Sequence, residues 1–305
     1  MTLIYILVFF AGVLQSGMQS FNGLLQGYAG LFGTSLATHV VGGLLLILYI
    51  VLIRRERIKL GPMPWYLYSA GFFGLVLVAF TSLCVSRIGA ALTTCLSISG
   101  QLILSILMDH FGWMGVKRLR FQAKRLLGLG VILAGLLAVN FGGQLTAAAA
   151  VGGAAAAYIL LALLLGGINV FSKTVNFQAA KCLGTPNGTL VNYVTASLLS
   201  LALLAGLEPE RASPAAFAAA PVWLYLGGVF GVAALVINVG SLKKINLFQS
   251  TTLLLAGQLA GSALLDAVLF ADMSPLKLLG VCVVAAGVIC DKKASLPRPP
   301  AEGSQ

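Results

Sequence analysis

The segment Ser99-Gly-Gln-Leu-Ile-Leu-Ser-Ile-Leu-Met-Asp109 returns 157 residues later as Ala256-Gly-Gln-Leu-Ala-Gly-Ser-Ala-Leu-Leu-Asp266. The same offset carries Pro64 to Pro221, Tyr68 to Tyr225, Gly71 to Gly228, Phe73 and Gly74 to Phe230 and Gly231, Arg87 to Lys244 and Thr94 to Thr251. Two unrelated apolar stretches share leucines by chance, but they do not share Pro, Gly, Gln, Ser and Asp in one register. The chain contains one unit twice, and any fold it adopts has to accommodate both copies.

What kind of unit this is follows from its solvent. Of 305 residues, 59% are hydrophobic and only 9% are charged, more apolar surface than one soluble core of this length can hide. A helix crosses the hydrocarbon layer in roughly 20 apolar residues. Ten stretches qualify, at about 2–22, 34–53, 65–86, 88–110, 126–145, 151–173, 188–206, 221–242, 245–270 and 276–291. The runs are long and unbroken, whereas barrel strands are short and alternate, so the expected fold class is all-α: ten transmembrane helices in a lipid bilayer. The first ten residues lack a basic leader and stay apolar beyond a cleavage point, which predicts a retained first span and no signal peptide. The five cysteines (Cys84, Cys95, Cys182, Cys282 and Cys290) show no CxxC spacing and support neither a disulfide framework nor a metal site. No cofactor is expected.

Charge sets the orientation. With the N-terminus inside, the loops after the even spans hold 16 basic residues, among them Arg54, Arg55, Arg57, Lys181, Lys243 and Lys244, while Arg87, Arg211 and Lys277 are the 3 left outside. The positive-inside rule then predicts that both termini are cytoplasmic. The net charge of +11 is thereby a membrane feature and calls for no nucleic acid.

Each unit has five spans, an odd number, so the second enters the membrane upside down. Residues matched by the repeat are then related by a pseudo-two-fold axis in the membrane plane, as in carriers whose halves rock against each other. The first span joins the match, Gly12-Val-Leu-Gln15 with Gly166-Gly-Ile-Asn169, and Arg125-Leu-Leu-Gly128 matches Lys277-Leu-Leu-Gly280. The expected units are 1–145 for the first repeat, 146–293 for the second, and a Pro-rich polar tail over 294–305 for which disorder is expected.

Gly100 to Gly112 (Gly-Gln-Leu…Ser…Leu…Asp-His-Phe-Gly), the Asn22 segment, and Asn176 with Gly188-Thr-Leu-Val-Asn192 resemble the YdcZ-type branch of the drug/metabolite transporter superfamily. The resemblance covers nearly the whole chain apart from the tail. It implies a five-helix unit fused in tandem, a ten-helix carrier with both ends cytoplasmic, and export across the inner membrane. The second half departs from the motif at Ala267-Val-Leu-Phe270, where the first has His110-Phe-Gly-Trp113. Small multidrug-resistance exporters resemble the same architecture but carry a carboxylate in the first helix. Here that region offers Gln15, Gln19 and Asn22, which favours a neutral, zwitterionic or anionic metabolite over a cationic drug.

The polar residues inside the spans are the candidates for substrate binding. An unpartnered amide in lipid costs roughly 2–7 kcal/mol, so Gln101 and Gln258 must face protein or a wet cavity. Each is either an interhelical hydrogen bond or one of two substrate contacts paired across the axis; the glycine before each lets a backbone or a ligand approach. Gln15, Gln19 and Asn22 in span 1, with Asn169, Lys173 and Asn176 in span 6, form a second set. Lys173 either snorkels to the inner interface or faces the cavity and binds a carboxylate or phosphate. The cavity is expected between spans 1, 3 and 4 and their mates 6, 8 and 9. His39 reads as a neutral hydrogen-bonded residue, and Asn192 and Asn238 as packing amides that could line the cavity.

Asp109 and Asp266 end spans 4 and 9, where an acid is electrostatically misplaced, and Arg125 and Lys277 open the following spans, where a cation is misplaced. Asp109 with Arg125, and Asp266 with Lys277, would cancel these misfits as gating latches, with proton coupling as the alternative. Gly128 with Gly135 and Gly280 with Gly287 suit close packing of spans 5 and 10 within a subunit or between two, so a homodimer is open to the chain. No nucleophile and base pair, phosphate loop or catalytic cluster is present. The expected function is secondary transport of a small-molecule metabolite by alternating access; a membrane scaffold or receptor, or a membrane-embedded enzyme, is the rival.

Overall fold

The computed structural model describes residues 2–59, 61–88, 90–115, 118 and 155–270. Every long element in that range is helical: α1 (Thr2–Leu48), α2 (Ala70–Ile88), α3 (Ala90–Phe111), α4 (Ala155–Leu183), α5 (Thr185–Leu207), α6 (Leu226–Ser241) and α7 (Leu247–Phe270). Among the described residues, six segments are long and apolar enough to cross a membrane, and the first, Leu3–Ile53, has 51 residues, enough for two crossings. Large apolar side chains such as Leu3, Ile6, Leu198 and Leu201 are exposed, while the amides of Asn22, Asn176, Asn192, Gln101 and Gln258 are buried. That inversion suits a lipid surround.

α1 is two spans in one element. Its 47 residues would reach about 70 Å if straight, but Gly30 breaks it at φ 74°, ψ −174°, a backbone that favours glycine. The Thr38 hydroxyl donates to Asn22 Oδ1 at 2.9 Å, and residues 16 apart meet this way only if the limbs 2–29 and 31–48 fold back on each other. Gly184, at φ 83°, separates α4 from α5 at the matching place in the second repeat. The entries to α2 and α6 also match: Pro64 and Pro221 each precede a single tight turn, Trp65–Ser69 and Val222–Tyr225. Spans 1 to 4 and 6 to 9 of the sequence reading therefore fall on described helices. Spans 5 and 10, with Arg125 and Lys277, the connection near 146 and the tail, lie outside the described residues.

The helices pack mainly across the repeats. α1 lies on α5, α6 and α7, α3 on α4, and α2 on α5. Glycines make the closest crossings possible. A Cβ at Gly12 would collide with Leu254 O and stand 2.8 Å from Gln258 N, and one at Gly257 would run into the Phe9 carbonyl. The counterpart in the repeat is α3 on α4, where a Cβ at Gly100 would strike the Leu163 carbonyl and one at Gly166 would strike Ser97 O and come within 2.9 Å of Gln101 N. Two pairs of spans thus touch backbone to backbone, and the repeat maps one crossing onto the other.

The elbow at Gly30 is closed by the other repeat. Glu208, just past α5, accepts hydrogen bonds from Leu31 N at 3.2 Å and Phe32 N at 3.0 Å. Arg211 donates from Nη1 to Tyr28 O at 3.1 Å. A carboxylate caps the start of the second limb and a guanidinium caps the end of the first, so each charge meets the favourable end of a helix dipole and satisfies groups that the break leaves open.

Candidate functional site

A cavity of about 110 Å³ lies where the two limbs of α1, α2, α4, α5 and α6 converge. Its walls consist largely of residues matched by the repeat. Gln15 faces it with Asn169, Gln19 with Lys173, Thr38 with Asn192, His39 with Tyr193, Gly74 with Gly231, and Thr81 with Asn238. The His39 and Tyr193 rings touch, with centroids 5.3 Å apart. Residues matched by the repeat thus line one cavity together.

Behind the walls, the same hydrogen bond occurs once per repeat. Asn22 Oδ1 accepts from the Thr38 hydroxyl, and Asn176 Oδ1 accepts from Asn192 Nδ2, both at 2.9 Å. These pairs fasten the second span of each repeat to the first and answer the cost of burying the amides. Asn22 still lines the cavity. Asn176, which also donates to Ser172 O at 2.9 Å, lies behind its wall. His39 Nδ1 donates to Ser35 O at 2.8 Å, which leaves Nε2, the nitrogen nearest Gly74, an acceptor in the neutral ring.

Lys173 does not snorkel. It is 4% exposed, lines the cavity, and donates from Nζ to Ser250 Oγ at 2.7 Å. Ser250 in turn donates to Asn238 Oδ1 at 3.1 Å and shares a 2.8 Å contact with the Ser241 hydroxyl. The inner interface does not claim the ammonium because this hydroxyl relay at the start of α7 holds it at the cavity wall.

The two glutamines do not line the cavity. Gln101 and Gln258 are 2% and 1% exposed; Gln101 Nε2 lies 3.5 Å from the Ser97 hydroxyl, and the Gln258 amide has no hydrogen-bond partner among the described residues. The glycine before each admits a neighbouring backbone, which leaves no open space there. Among the described residues, none of spans 4 and 9 lines the cavity, and spans 2 and 7 take their place, which differs from the lining expected from sequence.

Asp109 is 1% exposed and its Oδ2 accepts from Phe248 N at 3.1 Å. The acid that looked misplaced at the end of α3 thus sits at the start of α7, where the dipole favours it. Arg125, the Asp266 side chain and Lys277 lie outside the described residues.

Tyr193, Ser250 and Gly74 were missed in the sequence, as was Thr38 as a lining residue. A signal for three of them was present, because the offset of 154 that matches Asn22 to Asn176 also matches Thr38 to Asn192 and His39 to Tyr193, and Gly74 matches Gly231.

A solved structure titled "Crystal structure of protein", 18% identical in sequence, superposes over 96% of this chain and 98% of its own with a TM-score of 0.68, which shows a shared fold. No curated protein matches the chain. The profile of the family described as "Putative inner membrane exporter, YdcZ" matches twice, over residues 3–138 and 157–290, once per repeat. The chain belongs to the YdcZ family of inner-membrane exporters within the drug/metabolite transporters.

Proposed function

We propose that this protein is a secondary carrier that moves a small metabolite out of the cytoplasm by alternating access to the cavity between its inverted repeats. The observation that carries this reading is a single cavity walled by matched residues of the two repeats. A site so placed is the one part of the molecule that both rocking states share, so each face can open to it in turn. The family description favours export over the scaffold, receptor or enzyme alternatives. Both termini face the cytoplasm in this reading, and Asp109 with Arg125 and Asp266 with Lys277 latch the two faces.

Two-sided accessibility tests it. In a variant with the native cysteines replaced, Val78→Cys at the cavity wall should react with an impermeant thiol reagent in both right-side-out and inside-out vesicles. Reaction from one side alone, under all conditions, would remove alternating access.

A further inference from the structure

We propose that the cavity selects a small polar monocarboxylate, with the Lys173 ammonium as the group that binds its carboxylate. The proposal rests on the cavity being the transport site and adds the class of molecule it accepts.

Lys173 is the one Lys, Arg, Asp or Glu among the described residues lining the cavity. Its matched residue across the axis is Gln19, a neutral amide, so the two halves of the site differ by one positive charge. At rest the ammonium meets a serine hydroxyl, Ser250 Oγ, which is a neutral partner for a buried cation. Asp109 is within electrostatic reach of Lys173, but it does not line the cavity and its Oδ2 is taken by Phe248 N at the start of α7. A carboxylate entering the cavity can replace Ser250 on Nζ with a stronger, charge-assisted hydrogen bond.

Charge balance narrows the class. Lys173 is the one formal charge in the lining, so a carboxylate finds a partner there, a cation meets a like charge, and a dianion brings a second charge for which the described lining holds no cation. The remaining lining groups include the amides of Gln15, Gln19, Asn169 and Asn238, which suit hydroxyl or carbonyl groups on the rest of the molecule. A larger pocket of about 910 Å³ is lined by Lys181, Lys243 and Lys244 together with Leu247 and Gln249. The first turn of α7 therefore faces a basic pocket with Leu247 and Gln249 and holds the cavity lysine with Ser250.

The test uses the purified full-length protein and five probes: L-lactate, D-glycerate, lactamide, glycerol and glycerol 3-phosphate. Thermal-shift titration should show lactate and glycerate binding, with lactamide and glycerol far weaker. Lys173→Gln, which copies the opposite half, should weaken carboxylate binding by about 10- to 100-fold, the loss of one charge-assisted hydrogen bond, while Lys173→Arg retains part of it. Equal binding of lactamide and lactate, unchanged carboxylate affinity in Lys173→Gln, a preference for glycerol 3-phosphate, or no binding of any probe would each overturn the proposal. If Lys173→Gln does not fold, the contrast between lactate and lactamide on the unaltered protein decides. Liposome flux keeps the two readings apart: lactate that binds without crossing sinks the carrier and leaves the site standing, while lactamide or glycerol that crosses as readily as lactate keeps the carrier and sinks the selectivity.

Discussion

His39 and Tyr193 stand with ring centroids 5.3 Å apart at an interplanar angle of 60°, and they occupy the same position in the two repeats. Each is the residue after a member of a repeated hydrogen-bonded pair, Thr38 in one half and Asn192 in the other. Tyr193→Ala removes this ring contact and leaves space beside Gly42, where a Cβ would meet the Tyr193 ring. The expected loss is about 3–5 kcal/mol of stability, the usual range for deleting a buried aromatic, read as a fall in melting temperature of the purified protein.

The backbone crossings give a second expectation. Gly100→Ala and Gly257→Ala each drive a methyl group into a carbonyl of the facing helix and should lower stability by about 1–3 kcal/mol. Gly206→Ala and Gly240→Ala meet nothing within 4 Å and should be neutral or gain up to about 1 kcal/mol from helix propensity. Equal melting temperatures for all four variants would contradict the crossings.

The glutamines can be separated from the cavity. Gln258→Leu removes an amide with no partner among the described residues and should leave stability unchanged or raised by about 1–3 kcal/mol, with probe affinity intact. Asn192→Leu breaks the bond to Asn176 at the cavity wall and should lower both. A loss of affinity in Gln258→Leu would bring the glutamines back into the site.

To test the proposed latch, Asp109→Asn weakens the acceptor for Phe248 N and removes the charge facing the start of α7. If Arg125 shares that carboxylate, Arg125→Gln should add little in the Asp109→Asn background. A double-mutant cycle on melting temperature measures the coupling, and full additivity would separate the two residues.

Orientation is checked by labelling. Ala212→Cys, between Arg211 and the short helix Pro214–Ala218, should react with an impermeant reagent added to intact cells, and a reporter fused after Gln305 should be cytoplasmic. Labelling of Ala212→Cys only after lysis would invert the topology.

The helices and their duplication were legible because membrane solvation demands long apolar runs, and because a shared register of Pro, Gly and Asp has no other source. The glycines at 100 and 257 were legible as points of close approach. Which partner approached was not, since local sequence says nothing of the facing helix. Lys173 shows the same limit: ten residues before the end of α4 a lysine could reach an interface, and only Ser250, 77 residues away, draws its head inward. Asp109 looked misplaced for the same reason, because α7 supplies from a distance the positive helix end that α3 lacks.

The clamp on the Gly30 elbow bears on how the chain is assembled. Tyr28, Leu31 and Phe32 reach the membrane long before Glu208 and Arg211 have been synthesised. Throughout that interval the first hairpin must be inserted with its bend uncapped. A nascent chain halted near residue 145 would therefore expose an unfinished elbow to quality-control proteases, and supplying the second half as a separate polypeptide should protect it.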